Sequence, residues 1–264
     1  MFKNVIMFPS MLGQLKYGVE KTPYYLKPLI RSDIYVRDSF VRKNNLPYNL
    51  YNLFLENSYI CGRKVNIGGD HSMSIATVAE SLRVCPNLKV IWVDAHCDIN
   101  TYEASESKNY HGMPLSFLTG LDDDKLFSFT KNKLDTSNLL YIGVRDIDPF
   151  ERMILNEYKI KYISSKEINT NTDDCIKLVN EFVKNDKVHL SFDVDGLDPE
   201  VMPSTGTSSP NGIQLEPCKK LLDNMLNRNL ISVDITELNL DIGTVEDKSK
   251  SLVNLTYLFK NYIF

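Results

Sequence analysis

The sequence predicts an α/β protein in which a central, mainly parallel β-sheet is flanked by helices. Short apolar runs rich in Val and Ile recur along the chain, and segments with helical spacing lie between them. Runs of this kind, without strict alternation, are typical of strands buried on both faces of a parallel sheet. Strands that alternate with helices then predict three layers, α/β/α, in a single domain over residues 1–264.

The predicted strands follow one another at intervals that leave room for helices. In chain order they are NVIMF (4–8), KVNIG (64–68), KVIWVD (89–94), LLYIGV (139–144), IKYIS (160–164), VHLSFDVD (188–195) and ISVDIT (231–236). Helices are predicted in HSMSIATVAESLRV, TDDCIKLVNEFVKN and the C-terminal SLVNLTYLFKNYIF. In the second of these Ile176, Val179 and Val183 mark one face. Thr172 or Asp173 is the predicted cap.

Composition excludes several classes of function. The 264 residues are 43% hydrophobic and 24% charged, which is typical of a globular protein. The formal charge of -4 comes without a basic block, so neither nucleic acid nor a membrane surface is an expected partner. Five widely spaced cysteines without a CxxC pair argue against disulfides and thiolate zinc sites. With no apolar run that suits a signal peptide or membrane span, we expect a cytoplasmic protein.

Acidic and imidazole side chains directly follow three of the predicted strands. Residues 94–98 read DAHCD, residues 193–195 read DVD, and GGDHS at 68–72 places a histidine just after the strand 64–68. Because ligands of α/β sheets bind beyond the carboxyl ends of strands, a functional site is expected here. If these strands continue in extended form, alternate residues point to the same side, because side chains in a strand repeat every two residues. Two glycines allow tight backbone geometry before the histidine. The candidate metal ligands are His71, Asp94, His96, Asp98, Asp193 and Asp195.

This set of side chains favours a pair of divalent metal ions. Imidazoles and carboxylates without a thiolate form a mostly hard donor set that suits Mn²⁺, whereas structural zinc sites favour cysteine. Carboxylates in such number repel one another unless cations lie between them, which predicts a binuclear site. Each cluster alone is weak support, because surface turns are rich in Asp, but their joint occurrence outweighs that alternative. His189, inside a strand, and Cys97, on the opposite side from the ligands, are interpreted as structural.

Five motifs in a fixed order resemble those of the ureohydrolases, the family of arginases, agmatinases, guanidinobutyrases and formimidoylglutamases. They are GGDHS, DAHCDIN, HGMP, SFDVDGLDP and DITELN, and the similarity extends from near residue 18 to residue 239. The resemblance implies hydrolysis of a guanidinium by a hydroxide that bridges two Mn²⁺ ions. One ion would be held by His71, Asp94, Asp98 and Asp193, and the other by Asp94, His96, Asp193 and Asp195.

The same resemblance implies catalytic roles around this centre. His111, in HGMP, would be a proton shuttle, Glu237, in DITELN, would pair with the substrate guanidinium, and Asp98 would also belong to the catalytic set. Residue chemistry agrees, because a guanidinium needs an acidic partner for its planar fork and expulsion of an amine needs an acid near neutrality.

Two stretches resemble arginases in particular, which implies L-arginine as substrate and L-ornithine and urea as products. In NTYEASESKNYHGMP the donors for the substrate α-carboxylate would be Asn100, Ser105, Ser107 and Asn109. In IGVRDIDPFER, Asp148 and Glu151 would face the α-amino group, although both could instead cap a helix. Thr207 and His96 would complete the substrate pocket.

The alternatives are a sister ureohydrolase or an inactive relative that serves as a binding subunit, although the chain retains the full ligand set. A zinc deacetylase is disfavoured, because a single-ion site would not need both carboxylate clusters. Lys108 stands where arginases commonly have glycine, so it could add a favourable charge to the carboxylate loop or crowd it. Leu240 replaces a common proline. The family implies a homotrimer or hexamer.

Overall fold

The computed structural model describes residues 2–122, 125–227 and 229–264, and these contain one parallel sheet of eight strands. The strands are β1 (Asn4–Phe8), β2 (Tyr35–Asp38), β3 (Lys64–Gly68), β4 (Lys89–Val93), β5 (Leu139–Ile142), β6 (Lys161–Ile163), β7 (Val188–Asp193) and β8 (Leu230–Thr236). Their order in the sheet is β2-β1-β3-β8-β7-β4-β5-β6, and every described pairing is parallel.

Helices cover both faces of the sheet. They are α1 (Thr22–Leu26), α2 (Leu46–Ser58), α3 (Ser74–Val84), α4 (Pro114–Thr119), α5 (Pro149–Glu157), α6 (Ser165–Thr170), α7 (Thr172–Val183), α8 (Leu215–Leu226) and α9 (Val245–Phe259). Alternate residues of β4 enter different cores, since Ile91 packs with the α7 to α9 side and Trp92 with the α2 to α5 side. The predicted three-layer α/β/α fold is confirmed.

Most strands were predicted within two residues of their observed bounds, but β2 was missed. Its sequence, YVRD, carries no apolar run because it lies at the edge of the sheet and is largely exposed. The predicted cap of α7, Thr172 or Asp173, was wrong by one or two residues, because Asn171 precedes the helix and its side chain accepts a hydrogen bond from Asp174 N. The final helix begins at Val245, six residues before the predicted start, and Thr244 caps it.

The strand order brings the loops of the predicted site together. Strands β3, β8, β7 and β4 are consecutive neighbours, so their carboxyl ends lie side by side at one edge of the sheet. The loops after them carry the motifs at 68–72, 237–239, 193–198 and 94–98. Within the described ranges we find no helix with the length and apolar character that crossing a membrane requires.

Candidate metal centre and active site

His71 and three carboxylates form the first candidate cation-binding group. The Nδ1 atom of His71 lies 3.1 Å from Asp94 Oδ2, 3.0 Å from Asp98 Oδ2 and 3.2 Å from Asp193 Oδ2. Its other ring nitrogen, Nε2, lies 2.8 Å from Ser191 Oγ. All four side chains are buried. If Nε2 carries the proton, the lone pair of Nδ1 faces three carboxylate oxygens.

Asp94 is shared with a second group. His96 Nδ1 lies 3.3 Å from Asp94 Oδ1 and 3.2 Å from Asp195 Oδ2, and these three ligand atoms are mutually close enough to hold one ion. His96 is the most exposed of the three, with a quarter of its side chain accessible. Asp94 therefore lies between the groups, whereas Asp193 clusters with the first group.

The chemistry of this donor set fits two divalent cations. The buried Nδ1 atom of His71 makes no hydrogen bond, although three carboxylates surround it. Burial raises the pKa of Asp193 and of Asp195, and the charges of neighbouring carboxylates raise both further. Burial and the charge of Asp94 raise the pKa of Asp98 to about 6. Cations at this position would remove the repulsion that these shifts express.

The side chains of DAHCD converge by a route that differs from the predicted one. Strand β4 ends at Val93, and Asp98 adopts a left-handed backbone with φ 51°. The extended continuation was therefore wrong, and a tight turn aims the ligands instead. Asp94 stabilises this turn, since its Oδ1 accepts from His96 N at 2.7 Å and its Oδ2 from Trp92 Nε1 at 3.0 Å. Cys97 points into the core, as parity predicted, and burial raises the pKa of its thiol.

Gly69, two residues before His71, lets two chain segments approach each other closely. A Cβ atom on Gly69 would lie 1.8 Å from the carbonyl oxygen of Ser10. Gly69 is not among the described residues with positive φ, so the requirement is space, not a left-handed conformation.

Glu237 and His111 face each other beside the first group. Glu237 Oε1 lies 3.1 Å from His111 Nδ1 and accepts from His71 N at 2.8 Å. Burial opposes ionisation of Glu237, but the hydrogen bond and charge of His111 outweigh it and lower its pKa. Burial opposes protonation of His111, but Glu237 outweighs it and raises the pKa of the imidazole to about 9.

Sequence reasoning missed two residues near this pair, one that bonds Glu237 and one buried carboxylate beside it. Gln14 Nε2 donates to Glu237 Oε2 at 2.7 Å. Asp70 accepts from Gly13 N at 3.0 Å and from Ser72 N at 2.9 Å, and burial together with the charge of Glu237 raises its pKa to about 6. Asp70 stands inside GGDHS and could have been suspected, whereas no periodicity or motif marks Gln14.

A cavity of about 570 Å³ opens over both groups. Its lining includes the predicted site residues His96, Asp98, Asn100, Ser105, Ser107, His111, Asp148, Glu151, Asp193, Asp195 and Thr207. The predicted residues Asn109, Glu237, His71 and Asp94 lie outside the described lining. Thr207 Oγ1 donates to Asp195 Oδ2 at 2.9 Å, which ties the pocket wall to a candidate ligand.

Asp148 and Glu151 occupy the start of α5 as well as the cavity wall. Glu151 Oε2 accepts from Asp148 N at 3.1 Å and Glu151 Oε1 accepts from Ile99 N at 3.2 Å. Asp148 Oδ2 accepts from Asn100 Nδ2 at 2.8 Å. Burial and the charge of Asp98 raise the pKa of Glu151 to about 8. Asp148 is the N-cap residue of α5 and forms a capping box with Glu151, so the capping alternative is realised. The exposed side chain of Asp148 also keeps access to the cavity.

Lys108 neither fills the cavity nor directs its charge into it. Its backbone is left-handed, with φ 58°, and its Nζ atom donates to the carbonyl oxygens of Tyr102 at 2.6 Å and Glu103 at 3.0 Å. Its N–H donates to Ser105 Oγ at 3.1 Å. The side chain therefore holds its own loop in shape.

His189 lies inside the sheet, away from the cavity. It is fully buried, with Nε2 2.9 Å from Asp234 Oδ2 and Nδ1 2.9 Å from Ser81 Oγ. These partners satisfy both ring nitrogens, in agreement with a structural role.

The chain is similar to proteins of one family. A family profile described as the arginase family matches residues 39–257. The chain is 40% identical over 200 residues to the hepatic arginase of Aquarana catesbeiana, covering 72% of the chain and 62% of that protein. It is 36% identical over 211 residues to human mitochondrial arginase-2, covering 76% and 59%. It thus spans about three fifths of the length of these curated relatives.

A solved structure extends the similarity to the whole fold. The arginase of Entamoeba histolytica, solved in complex with L-ornithine, superposes with a TM-score of 0.89 at 30% identity. The superposition covers 98% of this chain and 99% of the other.

Proposed function

The chain belongs to the arginase family, and from this premise we propose that it hydrolyses L-arginine to L-ornithine and urea with two Mn²⁺ ions. The observation that carries the proposal is the pair of cation-binding groups that share Asp94 beneath one polar cavity. The donor set of imidazole and carboxylate without thiolate supports Mn²⁺ over zinc. His71, Asp94, Asp98 and Asp193 would hold one ion. Asp94, His96 and Asp195, with Asp193 as a further bridge, would hold the other.

The ions, when bound, would lower the pKa of water and so supply a nucleophile at neutral pH. Glu237 would accept the substrate guanidinium, whose planar fork suits a carboxylate. His111 lines the cavity and lies 3.1 Å from Glu237, whose hydrogen bond and charge raise the pKa of the imidazole and favour its protonated form. It would therefore donate the proton that the departing amine needs.

Both ends of the amino acid have chemically suitable partners in the cavity wall. Asn100, Ser105 and Ser107 line it, and with Asn109 they would donate to the α-carboxylate. Asp148 would accept from the α-ammonium group. Glu151, whose carboxylate oxygens are engaged by backbone N–H groups, would act on that end by fixing Asp148. We further propose a cytoplasmic homotrimer or hexamer, as predicted from the sequence.

Urea release from arginine and from agmatine, measured with added Mn²⁺, tests the proposal. Agmatine lacks the carboxylate and leaves its donors unpaired, at a cost of about 1 to 3 kcal/mol for each buried group. Arginine should therefore be preferred by at least ten- to a hundredfold. Equal turnover of both substrates would favour a sister ureohydrolase, and no urea from either in a protein with two bound ions would contradict the reaction.

A further inference from the structure

Arg145 follows β5 and joins three loops at the carboxyl edge of the sheet. Its guanidinium donates to backbone carbonyl oxygens only, among the contacts described for it. The acceptors are Gly143 at 3.1 Å, Asp195 at 2.8 Å, Gly196 at 3.1 Å, Leu197 at 3.2 Å, Ser209 at 2.8 Å and Pro210 at 3.0 Å. A planar guanidinium presents five N–H donors in a rigid fork, so it can fix several carbonyl groups at once in a way that a lysine cannot.

These contacts converge on the second cation-binding group. Arg145 Nη2 donates to the carbonyl oxygen of Asp195, and Arg145 N donates to the carbonyl oxygen of Ala95 at 2.9 Å, next to His96. Ala95 N in turn donates to Asp195 Oδ1 at 3.1 Å. Ser209 and Pro210 belong to the segment of Thr207, whose hydroxyl bonds Asp195 Oδ2. Arg145 thus holds the loops on both sides of Asp195.

The first group is supported from a different side. His71 Nε2 contacts Ser191 Oγ, which lies 3.0 Å from Ser74 Oγ, and Ser74 Oγ donates to Asp234 Oδ2 at 2.9 Å. No contact described for Arg145 involves these residues. The two groups share Asp94 and are joined by the hydrogen bond from Asp195 N to Asp193 Oδ1 at 2.8 Å, but the contacts described for Arg145 support the second group alone.

We propose that Arg145 is a positioning residue that fixes Asp195, and through it the second cation-binding group, while the first group stays largely independent. The inference rests on the proposed two-ion centre. Loss of the guanidinium removes its bonds to the carbonyl groups of 195–197 and 209–210, and the remaining bond from Ile213 N to Gly196 O does not reach Asp195. Asp195 is then held less firmly, and the ligand atoms of the second group move apart. Removal of a partner that orients a metal ligand typically lowers metal affinity by about 10- to 100-fold.

Stepwise Mn²⁺ titration of the metal-free protein, followed by calorimetry, tests this asymmetry. Arg145→Gln should weaken one binding step by about 10- to 100-fold and leave the other within about twofold. Arg145→Lys, which keeps the charge but not the fork, should weaken the same step to a smaller extent, and it carries the test if the Gln variant does not fold. Asp195→Asn identifies the affected step, because it removes a charge from the second group alone. At intermediate metal concentration, electron paramagnetic resonance of Arg145→Gln should show isolated Mn²⁺, where the wild type shows a spin-coupled pair.

Arg63 offers a matched control at the opposite end of the sheet. It donates to the carbonyl oxygens of Leu226 at 2.7 Å and Leu230 at 3.1 Å. Arg63→Gln should lower the melting temperature and leave both Mn²⁺ steps unchanged. Suppose that the wild type binds two ions. Equal weakening of both steps in Arg145→Lys, or no weakening of either step in the Arg145 variants, would then overturn the inference and spare the proposed centre. A wild type that binds one ion would overturn both.

Discussion

His111 Nδ1 lies 3.1 Å from Glu237 Oε1, although 126 positions separate the two residues in the sequence. The contact joins the loop after β4 to the loop after β8, strands that are separated by β7 in the sheet. Because β8 and β4 end at the same edge, residues from the loops that follow them can meet beside the candidate metal ligands. The pair therefore couples a proton-carrying group to the carboxylate proposed to hold the substrate.

Replacement of His111 by Asn should change two separate pH profiles. Glu237 raises the pKa of His111 from 6.5 to about 9, so the pair stabilises the fold fully below pH 6.5 and ceases to do so as pH rises through about 9. A shift of this size corresponds to about 3 kcal/mol. Denaturant unfolding of the metal-free proteins should show the wild-type advantage over His111→Asn shrinking by about that amount across this window.

Turnover should respond in the same pH range. His111→Asn should lower it by about 10²- to 10⁴-fold without loss of manganese, as expected for a proton donor that is not a ligand. Wild-type activity should rise from neutral pH and decline above pH 9, where the imidazole loses its proton. In acid, activity should fall as the ligand imidazoles protonate and release metal. Manganese lost from the variant would reassign His111 as a ligand.

Asp193→Asn should have opposite effects on the metal-free and metal-loaded proteins. Burial and the charges of Asp195 and Asp94 raise the pKa of Asp193 well above its ordinary 3.8, so its ionised form opposes folding at neutral pH when no cation is present. The amide keeps the oxygen that accepts from Asp195 N and removes the charge. The metal-free variant should therefore melt at a higher temperature than the metal-free wild type.

With excess Mn²⁺ the order should reverse. An ion present at 100 times its dissociation constant stabilises the native state by about 2.7 kcal/mol, and the variant forfeits part of this. Metal content per chain should fall from close to two, and activity should be lost. Asp173→Asn, an exposed change on α7, serves as the control. It should melt like the wild type both without metal and with excess Mn²⁺. A metal-free variant that is less stable than the wild type would contradict the repulsion argument.

The sequence carried enough information for the three layers and for the side chains that cluster at the candidate site, but not for how those side chains meet. Apolar residues such as Val90 and Leu190 form continuous runs, and such runs indicate strands of a parallel sheet whose two faces are both covered by helices. Chain parity put Asp94 and Asp98 on one side, yet the structure achieves this with a left-handed turn at Asp98, and a single sequence carries no signal for such a turn at Asp. The role of Gln14 could not be predicted, because its partner, Glu237, is 223 positions away and local periodicity carries no information about contacts between distant loops.

Asp148→Asn separates substrate recognition from helix capping. Asn caps helices about as well as Asp does, so this variant should keep the stability of the wild type. Loss of the charge should weaken the hydrogen bond to the α-ammonium group, and a charge-assisted bond is worth about 1.5 to 3 kcal/mol. The KM for arginine should rise by tenfold or more while kcat and manganese content change little.

Asp148→Ala completes this comparison. It should raise KM to a similar extent and also lower the free energy of unfolding by about 0.5 to 2 kcal/mol, because the cap is lost. A wild-type KM in Asp148→Asn together with lower stability in Asp148→Ala would show that Asp148 serves the helix alone.

Lys108 should affect the substrate loop through its hold on Tyr102 and Glu103, and three variants separate its contributions. Lys108→Gly loses both carbonyl contacts. It also relieves the strain of the left-handed backbone, which costs about 1 kcal/mol for a residue with a side chain. The two effects oppose each other, so the free energy of unfolding should change little. Lys108→Met loses the contacts without that relief and should be less stable by about 1 kcal/mol. Lys108→Arg keeps donors and charge, so it should resemble the wild type. Because the loop carries Ser105 and Ser107, the Gly and Met variants should share a raised KM for arginine at unchanged kcat, with faster hydrogen exchange of amides 102–108. A raised KM without faster exchange would instead mean that the charge acts on the substrate directly.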